Sequence, residues 1–344
     1  MGIIGGEFEI RTKDFIKSGS TQPFEFNKGY FYSSGRAALH HILSLSIQKE
    51  KKKILLPDYL CESIVEVVKI SKIPFYFYSI NEDLSINIDS IKEIYTEKSS
   101  ILIINYFGGI DVLNEIKKLR NIDLNISIIL DNVQAFYSMF ESFDVDFMFT
   151  SFRKQLPVPD GGWVISKYKL DKCEEYNSFA QYKLAGGLLK NFQGYKSISD
   201  KTYLELFEKG ENAISENLNA SISDVTIEIL NKLNLKHIQN KRLENSAFLI
   251  KGLKKLGLEP ILNFNSEMTP LFVPIILKNR DYIRKELKNK NIYCPIHWPR
   301  FQEVFAKKSK LYDEQLSLVI DQRYNFENMT LILNTIENCL VNEG

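Results

Sequence analysis

Three short stretches of this 344-residue chain put reactive residue types where they are useful. TSFRKQLPVPDGG, from Thr150, carries Lys154 just past the apolar run VDFMFTS. ISIILDNVQAFY ends its apolar run on Asp131, with Gln134 three residues later, and SSGRAAL, from Ser33, opens a helix pattern. A primary amine forms an imine with an aldehyde, and surroundings that lower its pKa from about 10.4 make the free base available. A carboxylate beside a ring nitrogen holds that nitrogen protonated. Free N–H groups at a helix start favour an anion by about 0.3–1 kcal/mol at an exposed site. A hydrogen bond from a charged group such as Arg36 is worth about 1.5–3 kcal/mol and outweighs the dipole if the side chain turns inward. Each stretch alone has an ordinary reading: a solvated lysine, a turn aspartate, a capped turn. An amine, an acid and an anion cradle together meet the three demands of pyridoxal phosphate (PLP).

The elements that would position these residues are legible as patterns. KKILLP, SILIINYFG, ISIILDN, VDFMFTS and GGWVISK are short runs rich in Ile, Val, Leu and Phe, separated by helical patterns such as CESIVEVVKIS and DVLNEIKKLRN. Continuous apolar strands alternating with helices predict an α/β fold: a three-layer α/β/α large domain over residues 1–235 with a mainly parallel sheet. Ligands gather at the carboxyl ends of such strands, where Asp131, Ser151 and Lys154 fall. The amphipathic run LNKLNLKHIQNKRLENSAFLIKGLKKLG links this unit to a small α+β domain over 236–344, built from LFVPIIL, RDYIRKELKNKN, IYCPIHWP and FENMTLILNTIENCL.

Bulk properties exclude several classes. A net charge of +1 with 25% charged residues suggests neither nucleic acid nor a membrane surface as partner. No apolar segment approaches the roughly 20 residues of a membrane span, and the start, MGIIGGEFEIRTK, has no signal-peptide pattern. The four cysteines lie scattered without metal-ligand spacing, so no metal site and no disulfide framework are expected, and a cytoplasmic location is. No GxGxxG follows a strand pattern, which disfavours a nicotinamide enzyme. KEKKK, between a helix and a strand, reads as a solvated loop, and His40 and His41 receive no role.

The ordered set SGRAAL, ILLPDY, INYFGG, DNVQA, SFRK with PDGG, KHIQNKR and IYCPIHWP, over about residues 30 to 335, resembles the DegT/DnrJ/EryC1/StrS aminotransferases of the aspartate aminotransferase fold, type I. The resemblance implies that Lys154 holds PLP covalently, that Asp131 meets the pyridine nitrogen and that Gln134 lies near the phenolic oxygen. It assigns the phosphate to Ser151 and to the amides around Gly35, Arg36 and Ala37. It also implies a homodimer with the active site between subunits, and transfer of an amino group from glutamate to a keto sugar carried on a nucleotide. This chain departs from the family's pattern in three places. Gly35-Arg36 stands where Gly-Thr is frequent, and Lys154 follows Ser151 by three residues rather than five. Cys61 takes the place of the stacking aromatic, leaving that role to Tyr59 or Tyr106, set against both being core residues. On the substrate side, His297 in PIHWP is the candidate, set against a histidine packed on Trp298. Arg323 in DQRY is either a bidentate grip on a donor carboxylate or an ion pair. Other type I reactions, dehydration or elimination, remain alternatives, as does a non-catalytic member that binds a nucleotide sugar. Dehydratase relatives replace the lysine with histidine, so its retention favours amino transfer.

Overall fold

In the computed structural model, which describes residues 2–11, 26, 28–192, 200–304, 307 and 309–341, the five apolar runs become strands of one seven-stranded sheet. In chain order the elements of this part are β1 (Ile4–Gly5), β2 (Tyr30–Tyr32), α1 (Gly35–Gln48), β3 (Lys53–Pro57), α2 (Glu62–Ile70), β4 (Phe75–Tyr78), α3 (Ile88–Ile94), β5 (Ser99–Ile104), α4 (Val112–Arg120), β6 (Ser127–Asp131), β7 (Phe147–Ser151) and β8 (Gly162–Ser166). The sheet order is β2-β8-β7-β6-β5-β3-β4, with β3 to β7 parallel and β8 antiparallel to both its neighbours. β4, which no apolar run announces, is the edge strand FYFY, exposed at Tyr76 and half-buried at Phe75 and Phe77. β5, β6 and β7 are buried throughout, as a sheet covered on both faces requires. This is the α/β architecture that the alternation of runs implies.

Helix starts follow from capping. Ser34 Oγ accepts the Ala37 N–H at 3.1 Å, and Asp111 Oδ1 accepts the Asn114 N–H at 3.1 Å, each satisfying a donor that the helix leaves unpaired. The start of α1 is pressed against the sheet. A Cβ on Gly162 would lie 2.2 Å from the Ser34 carbonyl oxygen, and one on Gly35 would lie 3.2 Å from Ser151 Cβ. At Gly162 only hydrogen lets the loop touch the start of β8, whereas at Gly35 a Cβ would require Ser151 to give by a few tenths of an ångström. Gly162→Ala is therefore expected to destabilise the chain by about 3 kcal/mol, the upper end of overpacking costs, because the obstacle is backbone and cannot rotate away. A lowered denaturant midpoint at unchanged slope checks this.

The rest of the chain comprises α5 (Phe179–Lys190), α6 (Asp200–Ala213), α7 (Asp224–Leu230), α8 (Leu235–Lys255), β9 (Phe272–Ile276), α9 (Arg280–Asn289), β10 (Ile292–Tyr293), α10 (Lys310–Glu314), β11 (Gln315–Val319) and α11 (Phe326–Val341). β9 pairs antiparallel with β11, and these strands with α8, α9 and α11 enclose a second apolar core. The boundary expected at 235/236 falls at the first residues of α8. Leu235 and Ile238 of that helix pack into the first core, and Leu249 and Leu253 into the second. Ile4 also joins the second core, because β1 pairs in parallel with β10.

Candidate active site

A cavity of about 810 Å³ opens at the carboxyl ends of the parallel strands, between the two cores. Its wall includes Gly35, Arg36, Asp131, Gln134, Ser151, Lys154, His297 and Arg323, all candidates from the sequence. Strand register explains the gathering: Ile104 is opposite Asp131, Asp131 opposite Phe149, and Ser151 opposite Gly162, so chemistry-bearing residues end neighbouring strands at one edge.

Asp131 is 4% exposed, and its Oδ1 accepts one backbone N–H, from Val133 at 2.8 Å. No cationic side chain pairs with it among the described residues. Burial pushes its carboxyl up to about 7, with the Val133 N–H opposing only in part. Gln134 Oε1 accepts the Phe107 N–H at 2.9 Å, which settles the amide's orientation and leaves its NH₂ as the remaining donor. Phe107 itself has φ 55, a left-handed conformation rare for a bulky residue. Lys154 follows β7 in a short 3₁₀ turn and is exposed. Ser151 is 4% exposed, and its hydroxyl has no hydrogen-bond partner among the described residues.

His297 sits against three rings, with centroids at 5.0 Å to Phe272, 5.5 Å to Phe107 and 5.7 Å to Trp298. Its Nδ1 and Ser317 Oγ are 2.7 Å apart. Desolvation, then the charge of Lys154, push its pKa down to about 3, so a neutral imidazole faces the cavity.

Three candidate roles meet a different placement, and for the tyrosines and Arg323 it is the alternative reading that the structure shows. Tyr59 is 1% exposed and absent from the cavity wall: its ring packs 5.0 Å from Tyr312 and 5.2 Å from Trp298 in the first core. Tyr106 is likewise buried, its hydroxyl donating to the Tyr59 carbonyl at 2.5 Å. Cys61 and Trp298 line the cavity instead. Ala37 is fully buried, and its N–H is spent on the Ser34 cap, which leaves the amides of Gly35 and Arg36. Arg323, whose side chain is 6% exposed, has its five N–H donors engaged. Two go to Asp321 at 2.9 and 2.8 Å, and the others to Glu9 Oε2 and to the carbonyls of Gly6 and Glu7. It clamps the N-terminal segment onto the end of β11 and has no donor to spare for a substrate carboxylate. Arg323→Gln is expected to cost about 3–5 kcal/mol, because Asp321 would stay buried without its cation. Thermal unfolding at neutral pH reads this.

The wall also holds residues that the sequence did not single out: Arg153, Glu211 and Arg242. Arg153 adjoins Lys154, but Glu211 and Arg242 come from α6 and α8, where nothing local marks a polar residue as facing a cavity. Among the described residues, no group of His, Cys, Asp and Glu is placed to hold a metal ion, and no helix is long and apolar enough to cross a membrane.

No protein-family model matches the chain, and no curated protein matches it in sequence. Solved structures do match. The sugar aminotransferase CalS13 from Micromonospora echinospora superposes at a TM-score of 0.65 with 12% identity, covering 98% of this chain and 100% of that one. The PLP form of Spr1654 from Streptococcus pneumoniae gives 0.68 with 14% identity and 98% coverage of both chains. A DegT DnrJ EryC1 StrS aminotransferase from Brucella abortus gives 0.59 with 16% identity, covering 90% and 85%. At these identities the likeness establishes architecture: the chain has the type I fold of the PLP-dependent aminotransferases.

Proposed function

We propose that this chain is a PLP-dependent aminotransferase that takes an amino group from glutamate and delivers it to a keto sugar carried on a nucleotide. The observation that carries the reading is Asp131, a buried carboxylate in the cavity wall with a single N–H donor and no cation among the described residues. A buried charge without a partner is costly, and a protonated ring nitrogen supplies the missing one. PLP, when bound, contributes an aldehyde that exchanges between amines and a ring that withdraws electrons from the bond being broken.

This chain's residues then have separate tasks. Asp131 holds a proton on the ring nitrogen, and its burial strengthens that attraction. Gln134 offers its NH₂ to the ring's oxygen. Ser151 Oγ and the amides of Gly35 and Arg36 receive the phosphate at the start of α1. Lys154 Nζ would hold the cofactor, and its amine, when free, would serve as general acid and base for the proton on the donor's α-carbon. Neutral His297, opposite, is a hydrogen-bonding group for substrate rather than a charge. A second copy of the chain completes the site, a proposal that rests on the family resemblance.

The test is a pair of half-reactions. Protein loaded with PLP is expected to show a visible absorbance band that glutamate bleaches with release of 2-oxoglutarate, and a panel of nucleotide-linked keto sugars is expected to restore it. Absence of the band sinks the cofactor assignment. A band that returns only with simple 2-oxo acids sinks the sugar assignment.

A further inference from the structure

Glu211, near the end of α6, is the meeting point of four cations. Its Oε1 accepts from Arg36 at 2.9 Å, and its Oε2 accepts from Lys183 at 3.1 Å and Arg153 at 3.4 Å. Burial opposes its ionisation, but Arg153, Lys154, Lys183 and Arg36 together hold its carboxyl well below the usual range. Lys183 also donates to Glu7 Oε1 at 2.8 Å. With Asp160 also within the field of Arg153, four cations face three carboxylates, an excess of one positive charge beside the cavity. Two of the cations are withdrawn from solvent while the carboxylates are not: the Lys183 side chain is 2% and that of Arg153 11% exposed, against 40% for Glu211 and 42% for Glu7.

Arg153 is the least satisfied member. Its Nε is buried with no partner among the described residues, and its one hydrogen bond, to Glu211, is long. The field of Asp160 reaches Arg153, but that carboxylate is engaged by Asn177, Ser223 and Thr226. A guanidinium with idle donors in a cavity wall suits an oxyanion, and a phosphate monoester offers it three acceptor oxygens where one carboxylate offers two.

The geometry points to Glu211 as a tethered stand-in for phosphate: it occupies the cations until a phosphate group arrives and takes over Arg153 and Arg36, which both line the cavity. Arg153 is then a phosphate-binding residue that the short Ser151–Lys154 spacing brings into the wall. The inference rests on the proposed use of PLP, whose phosphate is the group to be received, and it adds a competing carboxylate to that site.

The probe is inorganic phosphate, titrated calorimetrically into the full chain with no cofactor added. Glu211→Gln is expected to bind phosphate about tenfold tighter, since the competitor loses its charge. Arg153→Gln is expected to bind it about tenfold or more weakly, the loss expected for one hydrogen bond from a charged group, with Arg153→Lys recovering part. Because loss of Glu211 leaves cations facing one another, Glu211→Asp serves as a second variant that keeps the charge while withdrawing the contacts; intermediate affinity is expected. Unchanged phosphate affinity in the Glu211 and Arg153 variants overturns the inference. Glutarate competing as strongly as phosphate, with the same dependence on Arg153, overturns it in favour of a carboxylate site. The visible band with PLP reads the proposed function separately. A chain that forms the band while its variants leave phosphate binding unchanged loses this inference and keeps the function; phosphate binding as expected without the band does the reverse.

Discussion

Replacing Lys154 by alanine is expected to remove the visible band formed with PLP and to lower amino transfer by at least about 10²–10⁴-fold, the share contributed by one positioned acid–base group. The protein itself is expected to be little affected. Lys154 is exposed, on a short turn after β7, and surface substitutions of this kind usually move stability by within about 0.5 kcal/mol. One further effect runs the other way: Lys154 contributes to the field on Glu211 and His297, so its loss relaxes both groups toward their ordinary pKa values. Single-turnover transfer and absorbance on a variant with an unchanged melting temperature separate chemistry from folding. Wild-type transfer in Lys154→Ala would refute the assignment.

Asp131→Asn has two opposite consequences, and that opposition makes it diagnostic. In the cofactor-free chain the carboxyl has a pKa raised from 3.8 to about 7 by burial. Above pH 3.8 the unfolded state gives up this proton while the folded state keeps it, so the wild type loses stability as pH rises through this window. The loss is complete above about 7, where it amounts to roughly 4 kcal/mol at about 1.36 kcal/mol per unit. Asparagine keeps an oxygen for the Val133 N–H without the charge. The variant is expected to melt higher than wild type at pH 8, with the gain shrinking steadily toward pH 4. With PLP bound the sign reverses, because a protonated ring nitrogen stabilises the aspartate and not the amide; weaker cofactor retention and slower transfer are expected. Melting curves of both proteins across pH 4 to 8, with and without PLP, read both effects. Parallel curves without cofactor would show that Asp131 is not held as the cavity geometry requires.

Much of this was legible without coordinates. Four parallel strands of the main sheet announce themselves because a strand covered on both faces is largely apolar, antiparallel β8 does so by its GGWVISK run, and Asp131, Ser151 and Lys154 stand out as the polar residues that end such runs. Chain order alone was enough to place them at one sheet edge, since parallel strands bring their carboxyl ends together. The edge strand β4 was missed because its partly exposed FYFY follows no such rule.

What tertiary structure decided was pairing. Arg323 reads in sequence as either a grip on a carboxylate or an ion pair, and the fold makes it the latter: Asp321, Glu9 and the backbone of the N-terminal segment, more than 300 residues away, take its donors. Tyr59 has the right type to stack on a ring, but it fills a core beside Tyr312, while Cys61 and Trp298 reach the cavity. Glu211 has no local mark, because a carboxylate late in a polar helix looks solvated until α6 sets it among Arg36, Arg153, Lys154 and Lys183. The sequence by itself determined the sheet, and with it the residue types at the strand ends, because burial selects apolar side chains one position at a time. Which donor meets which acceptor, and which charge is left without a partner, depends on distances between segments remote in the chain, and only the fold determines those.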